Sequence, residues 1–136
     1  MIATDILYDR DFLCISHEPE HKLIHLRWKG YASTENLRDA LNFAVEAIKE
    51  HDIELWLGNL KLMEAINPVD IDWTTDIWYP KLSVTRLKKM ALVTSLDYFN
   101  NTAVKRIVNT VEDVTNFETR YFVDAAPAKE WLLINA

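Results

Sequence analysis

The sequence predicts an α/β fold in which a mixed, largely parallel sheet carries four helices. Short segments alternate between apolar and polar residues as strands do, longer segments repeat apolar residues at helical spacing, and the two kinds take turns along the chain. Helices between successive strands require crossover connections, which make the neighbouring strands parallel. The 136 residues are 49% hydrophobic and 26% charged, which suits a single domain spanning 1–136.

The first part of the chain predicts an antiparallel hairpin. A short strand, "ILY" at 6–8, leads into the strand "FLCISHE" at 12–18. The segment "KLIHLRW" at 22–28 alternates between two faces and forms the next strand. A tight turn at "EPEH" pairs residues so that Cys14 lies opposite His25.

Helices and strands alternate through the rest of the chain. Ser33 or Thr34 caps the first helix, and Pro68 in the first turn of the second helix does no harm because its missing N–H would have no partner there. Pro80 ends that second helix. The predicted elements are a helix at 33–52, a strand at 54–59, a helix at 67–79, a strand at 88–95, a helix at 100–113, a strand at 117–123 and a helix at 124–135.

Composition excludes several classes of function. A formal charge of −6 opposes binding to nucleic acids, whose recognition depends on basic surfaces. With two glycines in the chain, a Gly-rich phosphate-binding loop is disfavoured. The single cysteine, Cys14, excludes an internal disulfide framework. Acidic residues near the start and the lack of an apolar run of roughly 20 residues predict a cytoplasmic protein that does not enter membranes.

The residues that could carry chemistry have simpler explanations. His17, His21 and His25 are spaced by four, but they surround a hairpin turn, so we expect exposed turn residues and no metal site. The pair of Cys14 and His25 lacks a third, orienting group. An enzyme would need an acid–base pair such as Asp72 with a histidine, which spacing alone cannot place. We therefore expect no catalytic residue and no cofactor.

The second helix carries apolar side chains on opposite faces. One stripe and one opposing set follow from helical spacing: Val69, Trp73 and Ile77 on one side, and Ile71, Trp78 and Tyr79 on the other. A surface helix that is buried on one side does not need a tryptophan on its far side. Either a neighbouring segment such as 97–99 covers the second set, or that set is an exposed patch that binds a partner, a second copy or a ligand.

Three stretches together resemble a known family: "LRWKGYASTENLRDAL" at 26–41, "WLGNLKLMEAINPVDIDW" at 56–73 and "TRYFVDAAPAKEWLL" at 119–133. They are similar to the STAS-like proteins, whose fold is that of the sporulation anti-anti-sigma factors, and most of all to small uncharacterised bacterial members. The resemblance spans nearly the whole chain. It implies an STAS-like sheet, and its motifs are structural rather than functional.

The same family implies a regulatory switch that this chain lacks. In anti-anti-sigma factors, a phosphorylatable serine lies at the start of the helix that follows the strand corresponding to residues 54–59 of this chain. Residues 58–73 contain neither serine nor threonine. Asp70 or Asp72 either mimics a permanent phosphate charge or stabilises the first helical turn through the helix dipole.

Two functions follow as expectations. The first is a non-enzymatic regulatory or protein-interaction module, acting with a protein partner or as a homodimer through the second helix. The alternative is a carrier for a small apolar ligand, with a pocket beside the second helix at the ends of strands 54–58 and 88–94. The candidate binding residues are Asn59, Asp70, Ile71, Asp72, Trp73, Trp78 and Tyr79.

Overall fold

In a computed structural model, which describes residues 3–134, six strands form one sheet whose order follows the chain. The first three strands pair antiparallel, and the third to the sixth pair parallel, which confirms the predicted mixed, largely parallel sheet. The strands are β1 (Asp5–Arg10), β2 (Leu13–Glu18), β3 (Leu23–Gly30), β4 (Leu55–Met63), β5 (Lys89–Val93) and β6 (Glu118–Phe122).

The helices are α1 (Thr34–His51), α2 (Pro68–Trp73), α3 (Tyr79–Ser83), α4 (Tyr98–Val111) and α5 (Ala125–Leu133). A π turn at Thr74–Trp78 joins α2 to α3, so that residues 68–83 form one continuous segment, the second helix. Counted in this way, the four predicted helices are present. Residue 135, the predicted end of the last helix, lies outside the described residues, as do residues 1, 2 and 136 of the predicted domain. Within 3–134, none of the helices is both long and apolar enough to cross a membrane.

The two faces of the sheet are covered unequally. The front face carries the side chains of Ile24, Leu26 and Trp28 and packs against α1, the second helix and α4 in the larger core. Strand order follows chain order, so right-handed crossovers place these three helices on the same side. The back face carries Leu23 and Leu57, and α5 covers it in a smaller core.

The hairpin register differs from the prediction. Cys14 lies opposite Arg27, with Arg27 Nη2 3.8 Å from Cys14 Sγ, and not opposite His25. The connection is longer than a tight turn, because Pro19–His21 forms a 3₁₀ turn and Lys22 adopts a left-handed conformation with φ of 52°. This displacement removes the predicted Cys–His pair.

The histidines around this turn are not simply exposed. His17 is only 5% exposed, and its ring lies 4.7 Å from that of His51 at the end of α1. His21 is half-buried, and its Nδ1 lies 3.0 Å from Glu18 Oε1. The prediction of exposed turn residues is therefore wrong for His17. Within 3–134, no three His, Cys, Asp or Glu side chains come together in a group that could hold a metal ion.

Pro80 does not end the second helix, as the sequence predicted, but lies inside α3. Proline lacks an N–H and its ring collides with the carbonyl four residues earlier in a regular helix. The π turn at Thr74–Trp78 lies immediately before α3. Its wider backbone path accommodates the proline and lets the helix continue.

Candidate functional site

The second helix turns its aromatic residues toward the sheet. Trp78 is 2% exposed and Tyr79 is 5% exposed, so the alternative in which they form an exposed patch with Ile71 is wrong. The outer side instead exposes Val69 and Ile77, at 61% and 48%. The segment 97–99 does not cover the helix, since its own aromatic rings are exposed. Trp78 is therefore buried within the domain and does not require segment 97–99 to cover it.

Trp78 and Tyr79 join the second helix to its surroundings. Trp78 Nε1 donates a hydrogen bond of 2.8 Å to the carbonyl of Leu41 on α1. The ring of Trp78 meets that of Trp56 edge-on at 5.6 Å between centroids. Tyr79 Oη donates to Met90 Sδ at 3.6 Å, and burial raises the pKa of this phenol. These contacts fix the helix over β4 and β5.

A small apolar cavity lies beneath this helix. Its volume is about 80 Å³, and its walls come from β3, β4, β5, α1, the second helix and α4. Gly58 of β4 lines it on the sheet side. A Cβ at Gly58 would lie 2.8 Å from Trp56 Nε1 and 2.9 Å from Leu92 Cδ2, closer than side-chain atoms approach. A side chain at this position would force Trp56 or Leu92 to move.

Asp70 fastens the start of the second helix to α1. Its carboxylate is fully buried and accepts hydrogen bonds from Thr34 Oγ1 at 2.9 Å and Arg38 Nε at 3.1 Å. The guanidinium of Arg38 also lies over the ring of Trp73, 5.1 Å from its centroid. A buried carboxylate with these partners is a structural link. Asp70 therefore presents no phosphate-like charge to a partner, whereas Asp72 is exposed.

The predicted binding residues do not form one site. Asp70 and Trp73 meet α1 through Arg38, while Trp78 and Tyr79 line the cavity. Asn59 lies on the back face of the sheet, where its Oδ1 accepts a hydrogen bond from the backbone N–H of Lys61 at 3.1 Å. The polar candidates Asn59, Asp70 and Asp72 thus lie outside the lining of the cavity.

Exposed apolar side chains lie at the edge of the sheet where the parallel strands end. We name this group the strand-end patch; its members are Leu62, Leu96, Tyr98, Phe99 and Val123, each between 61% and 75% exposed. Leu62 lies at the end of β4, Leu96 and the two aromatic residues follow β5, and Val123 follows β6. The rings of Tyr98 and Phe99 meet edge-on at 5.5 Å.

Hydrogen bonds hold the backbone beneath the strand-end patch. Leu96 N donates to Lys61 O at 3.1 Å, and Ser95 Oγ donates to Met63 O at 2.7 Å, which ties the loop after β5 to β4. The fully buried Asn100 donates from Nδ2 to Glu64 O at 2.8 Å. Asp97 caps α4 by accepting from Asn100 N at 2.9 Å. The patch therefore rests on a preformed surface.

Sequence reasoning missed both the strand-end patch and the position of the cavity. It considered segment 97–99 only as one alternative, a cover for the second helix, because an aromatic residue in a first helical turn gives the same pattern whether it is buried or exposed. It also did not identify the cavity beside Trp56 and Gly58. The available signal was Gly58, because a glycine inside a buried strand marks a close approach or a space.

No protein-family model and no curated protein is significantly similar to this chain. Among solved structures, it is similar to an uncharacterized protein of the DUF3478 family with a SpoIIAA-like fold from Shewanella loihica, with a TM-score of 0.53 and 15% identity over 96% of this chain and 93% of that chain. SiaC of Pseudomonas aeruginosa gives a TM-score of 0.49 and 9% identity over 89% of this chain and all of that one. The first of these two structures shows that the chain has the SpoIIAA-like, or STAS-like, fold that the sequence predicted.

Proposed function

We propose that this protein is a non-enzymatic interaction module that binds another protein through its strand-end patch. The observation that supports this is the exposure of two adjacent aromatic rings and three aliphatic side chains at one edge of the sheet. Aromatic residues are enriched in protein interfaces and supply much of their binding energy. A regulatory role and a cytoplasmic location belong to the same proposal.

The backbone under the strand-end patch supports this role. A surface that is already ordered loses little conformational freedom on binding, so more of the contact energy appears as affinity. At the border of the patch, Lys61 Nζ lies 2.8 Å from Asp124 Oδ1 in an exposed ion pair. An apolar centre with a charged border is the usual arrangement of a protein interface.

The proposed partner is a different protein rather than a second copy. Each chain has a formal charge of −6, so two copies repel one another, whereas a neutral or basic partner does not meet this repulsion. A homodimer through the second helix would have to use the exposed Val69 and Ile77, because Trp78 is buried. Self-association is therefore an outcome to be tested and not the proposed function.

Site-specific photo-crosslinking in the organism's own cells tests the proposal. A photoreactive phenylalanine analogue replaces Phe99 in one variant and Val84 in the control variant. Val84 is 79% exposed but precedes β5, at the opposite edge of the sheet. We expect one protein, identified by mass spectrometry of the adduct, to be attached at position 99 and not at position 84.

A second substitution establishes whether the contact is specific. Leu96→Asp places a charge in the strand-end patch, so we expect it to abolish the adduct formed at position 99, while Val84→Asp leaves the adduct in place. An adduct of the same protein from both edges, or no adduct from position 99, contradicts the proposal. An adduct with a second copy of this chain replaces the proposed partner by a homodimer.

The cavity under the second helix favours a second candidate function, that of a carrier for a small apolar ligand. Its volume of about 80 Å³ is close to half of the roughly 150 Å³ found in an engineered cavity that takes up benzene or xenon. A ligand that fits without rearrangement contains only a few heavy atoms. Trp78 and Tyr79 belong to the lining and would supply apolar contacts to such a ligand, whereas Trp73, Asn59, Asp70 and Asp72 lie outside the lining.

A further inference from the structure

We propose that a pocket on the back face of the sheet binds a small organic phosphate, and that Arg27, Lys29 and Lys61 hold its phosphate group. We name it the basic pocket; its volume is about 450 Å³, and it lies where β3 and β4 end, beside the turn between β1 and β2. The inference requires neither a protein partner at the strand-end patch nor a ligand in the cavity under the second helix.

Three neighbouring strands place polar side chains of the basic pocket in one row. Arg27 on β3 pairs with Cys14 on β2 and with Asn59 on β4, so these three side chains lie side by side on the back face. Lys29 follows Arg27 by two residues and therefore projects from the same face. After Asn59 the register of β4 shifts by one residue, so that Lys29 pairs with Leu62. Irregularities of this kind redirect side chains and are common beside binding sites.

The basic pocket concentrates positive charge on a protein that is negative overall. Its lining contains four of the 15 lysines and arginines of the chain, but only one of the 21 aspartates and glutamates. The four basic residues are Arg10, Arg27, Lys29 and Lys61, and the acidic one is Asp11. A cleft lined by charges of one sign raises the local concentration of ligands of the opposite sign. The pocket therefore favours an anion.

Two of these cations have no anionic partner in the part of the chain that the structure describes. Neither Arg27 nor Lys29 forms a salt bridge there, although Asp9 lies opposite Cys14 and Asp11 borders the pocket. The guanidinium of Arg27 touches a weak acceptor, since its Nη2 lies 3.8 Å from Cys14 Sγ. Arginine has five N–H donors, so most of them remain for a ligand.

The groups that remain are suited to a phosphate. The planar fork of an arginine matches two phosphate oxygens at once, and a lysine adds a compact positive charge. Asn59 Oδ1 already accepts a hydrogen bond from Lys61 N at 3.1 Å, which leaves its Nδ2 to donate to the ligand. Lys61 Nζ lies 2.8 Å from Asp124 Oδ1, an exposed carboxylate with which a phosphate dianion competes.

The size of the basic pocket indicates that the phosphate carries an organic group. Pockets for small organic ligands generally measure about 300–1,000 Å³, and the value of about 450 Å³ falls in this range. A phosphate ion alone would leave most of this space empty. Leu62, which the pocket shares with the strand-end patch, is 61% exposed and offers an apolar contact beside the row of donors.

Three probes of related shape separate the classes of ligand. Phenyl phosphate carries close to two negative charges at pH 7, phenyl sulfate carries one, and phenol carries none. Each is titrated into ¹⁵N-labelled wild-type protein while the backbone amide signals are followed by NMR. We expect phenyl phosphate to bind saturably and roughly tenfold more tightly than phenyl sulfate, and phenol not to bind. The amide signals of Arg27, Lys29 and Asn59 should move.

Matched substitutions assign the binding to the basic pocket. Arg27→Gln and Lys29→Gln each remove one positive charge from it, and we expect each to weaken the binding of phenyl phosphate roughly tenfold. Arg86→Gln is the control, because it removes the same charge from an exposed arginine that precedes β5, at the opposite edge of the sheet. We expect this control to bind phenyl phosphate as the wild-type protein does.

The contrary outcomes are distinct. Equal weakening in Arg27→Gln and Arg86→Gln would show a response to overall charge and overturns the inference, as does the absence of saturable binding. Phenyl sulfate or phenol binding as tightly as phenyl phosphate overturns the assignment of a phosphate. Inorganic phosphate binding as tightly as phenyl phosphate overturns the assignment of an organic ligand. None of these results decides the two functions proposed above, because Arg27 and Lys29 belong neither to the strand-end patch nor to the cavity.

Discussion

At the scale of single residues, His25 shows how this fold controls a titratable group. Its Nε2 is buried on the back face and has no hydrogen-bond partner within 3–134. Burial, together with the positive charge of Arg27, lowers the pKa of His25 to about 4, although Glu18 acts in the opposite direction. The imidazole is therefore neutral at pH 7 in the folded protein.

We expect His25 to make the protein less stable as the pH falls from about 6.5 to about 4. In this interval the unfolded chain binds a proton at His25 that the folded chain does not, so acid favours unfolding. The pKa difference corresponds to about 2–3 kcal/mol in the free energy of unfolding. Urea denaturation at several pH values should show that the free energy of unfolding falls less on acidification in His25→Leu than in the wild-type protein.

Part of the pH dependence should persist in that variant, because burial also lowers the pKa of His17. An unchanged slope in His25→Leu contradicts the assignment. The low pKa of His25 and its effect on stability could not be predicted from the sequence. Which face His25 occupies follows from strand alternation, but its neighbours depend on the hairpin register, and the 3₁₀ turn at Pro19–His21 shifted that register.

At the scale of elements, two tryptophans in contact with each other help to hold the second helix in place. They differ in that the indole N–H of one forms a hydrogen bond and that of the other does not. Trp78 joins this helix to α1 through its hydrogen bond to Leu41 O, whereas Trp56 on β4 makes no such bond. Both side chains are nearly fully buried. The pair therefore separates the effect of ring volume from that of the hydrogen bond.

We expect Trp78→Phe to lower the free energy of unfolding by about 1–2 kcal/mol more than Trp56→Phe does, since only the first substitution breaks a hydrogen bond. Both substitutions remove a similar volume from the same core. Chemical denaturation of the two variants and the wild-type protein measures the difference. Equal losses would show that the bond to Leu41 contributes nothing net.

The bounds of most elements could be predicted because they depend on local periodicity, but the orientation of the second helix could not. Its buried stripe contains the charged Asp70 and the polar Thr74 beside Trp78 and Leu82. Polar residues on the inner side obscure the apolar pattern. The burial of Asp70 depends on Thr34 and Arg38, which lie more than thirty residues away along the chain.

At the scale of the whole molecule, the sheet separates two cores of unequal size. The front core contains residues from three helical segments, while the back core contains Trp131 and Leu132 of the nine-residue helix α5. Lys89 Nζ donates to Trp131 O at 3.1 Å and helps hold the end of this helix. The smaller core has fewer contacts to lose when it opens.

We expect α5 to open without unfolding the rest of the protein. Native-state hydrogen exchange should give a lower opening free energy for the amides of α5 than for those of α1. Trp131→Ala truncates a buried aromatic residue. We expect it to lower the opening free energy of the α5 amides by about 3–5 kcal/mol and that of the α1 amides by less. Equal reductions in both helices would show that the two cores unfold together.

The fold and the candidate sites differ in how far a sequence can predict them. The alternation of strands and helices is written in short segments, each of which can be identified alone. The cavity takes its walls from six elements, and the strand-end patch brings together the ends of three strands. Neither Gly58 nor Phe99 shows from its neighbours in the chain whether it borders a space or solvent.

The strand order carries a consequence for how the chain acquires its structure. Each strand from β2 to β6 pairs with the strand that precedes it in the chain, so none must be inserted between two strands already joined. During synthesis, the hairpin β1–β2 can form first and then serve as the edge onto which β3, β4, β5 and β6 are added in turn. Until β4 has emerged from the ribosome, β3 is an edge strand with unpaired backbone groups. In that interval α1, which follows β3 directly, can cover the front face of β3.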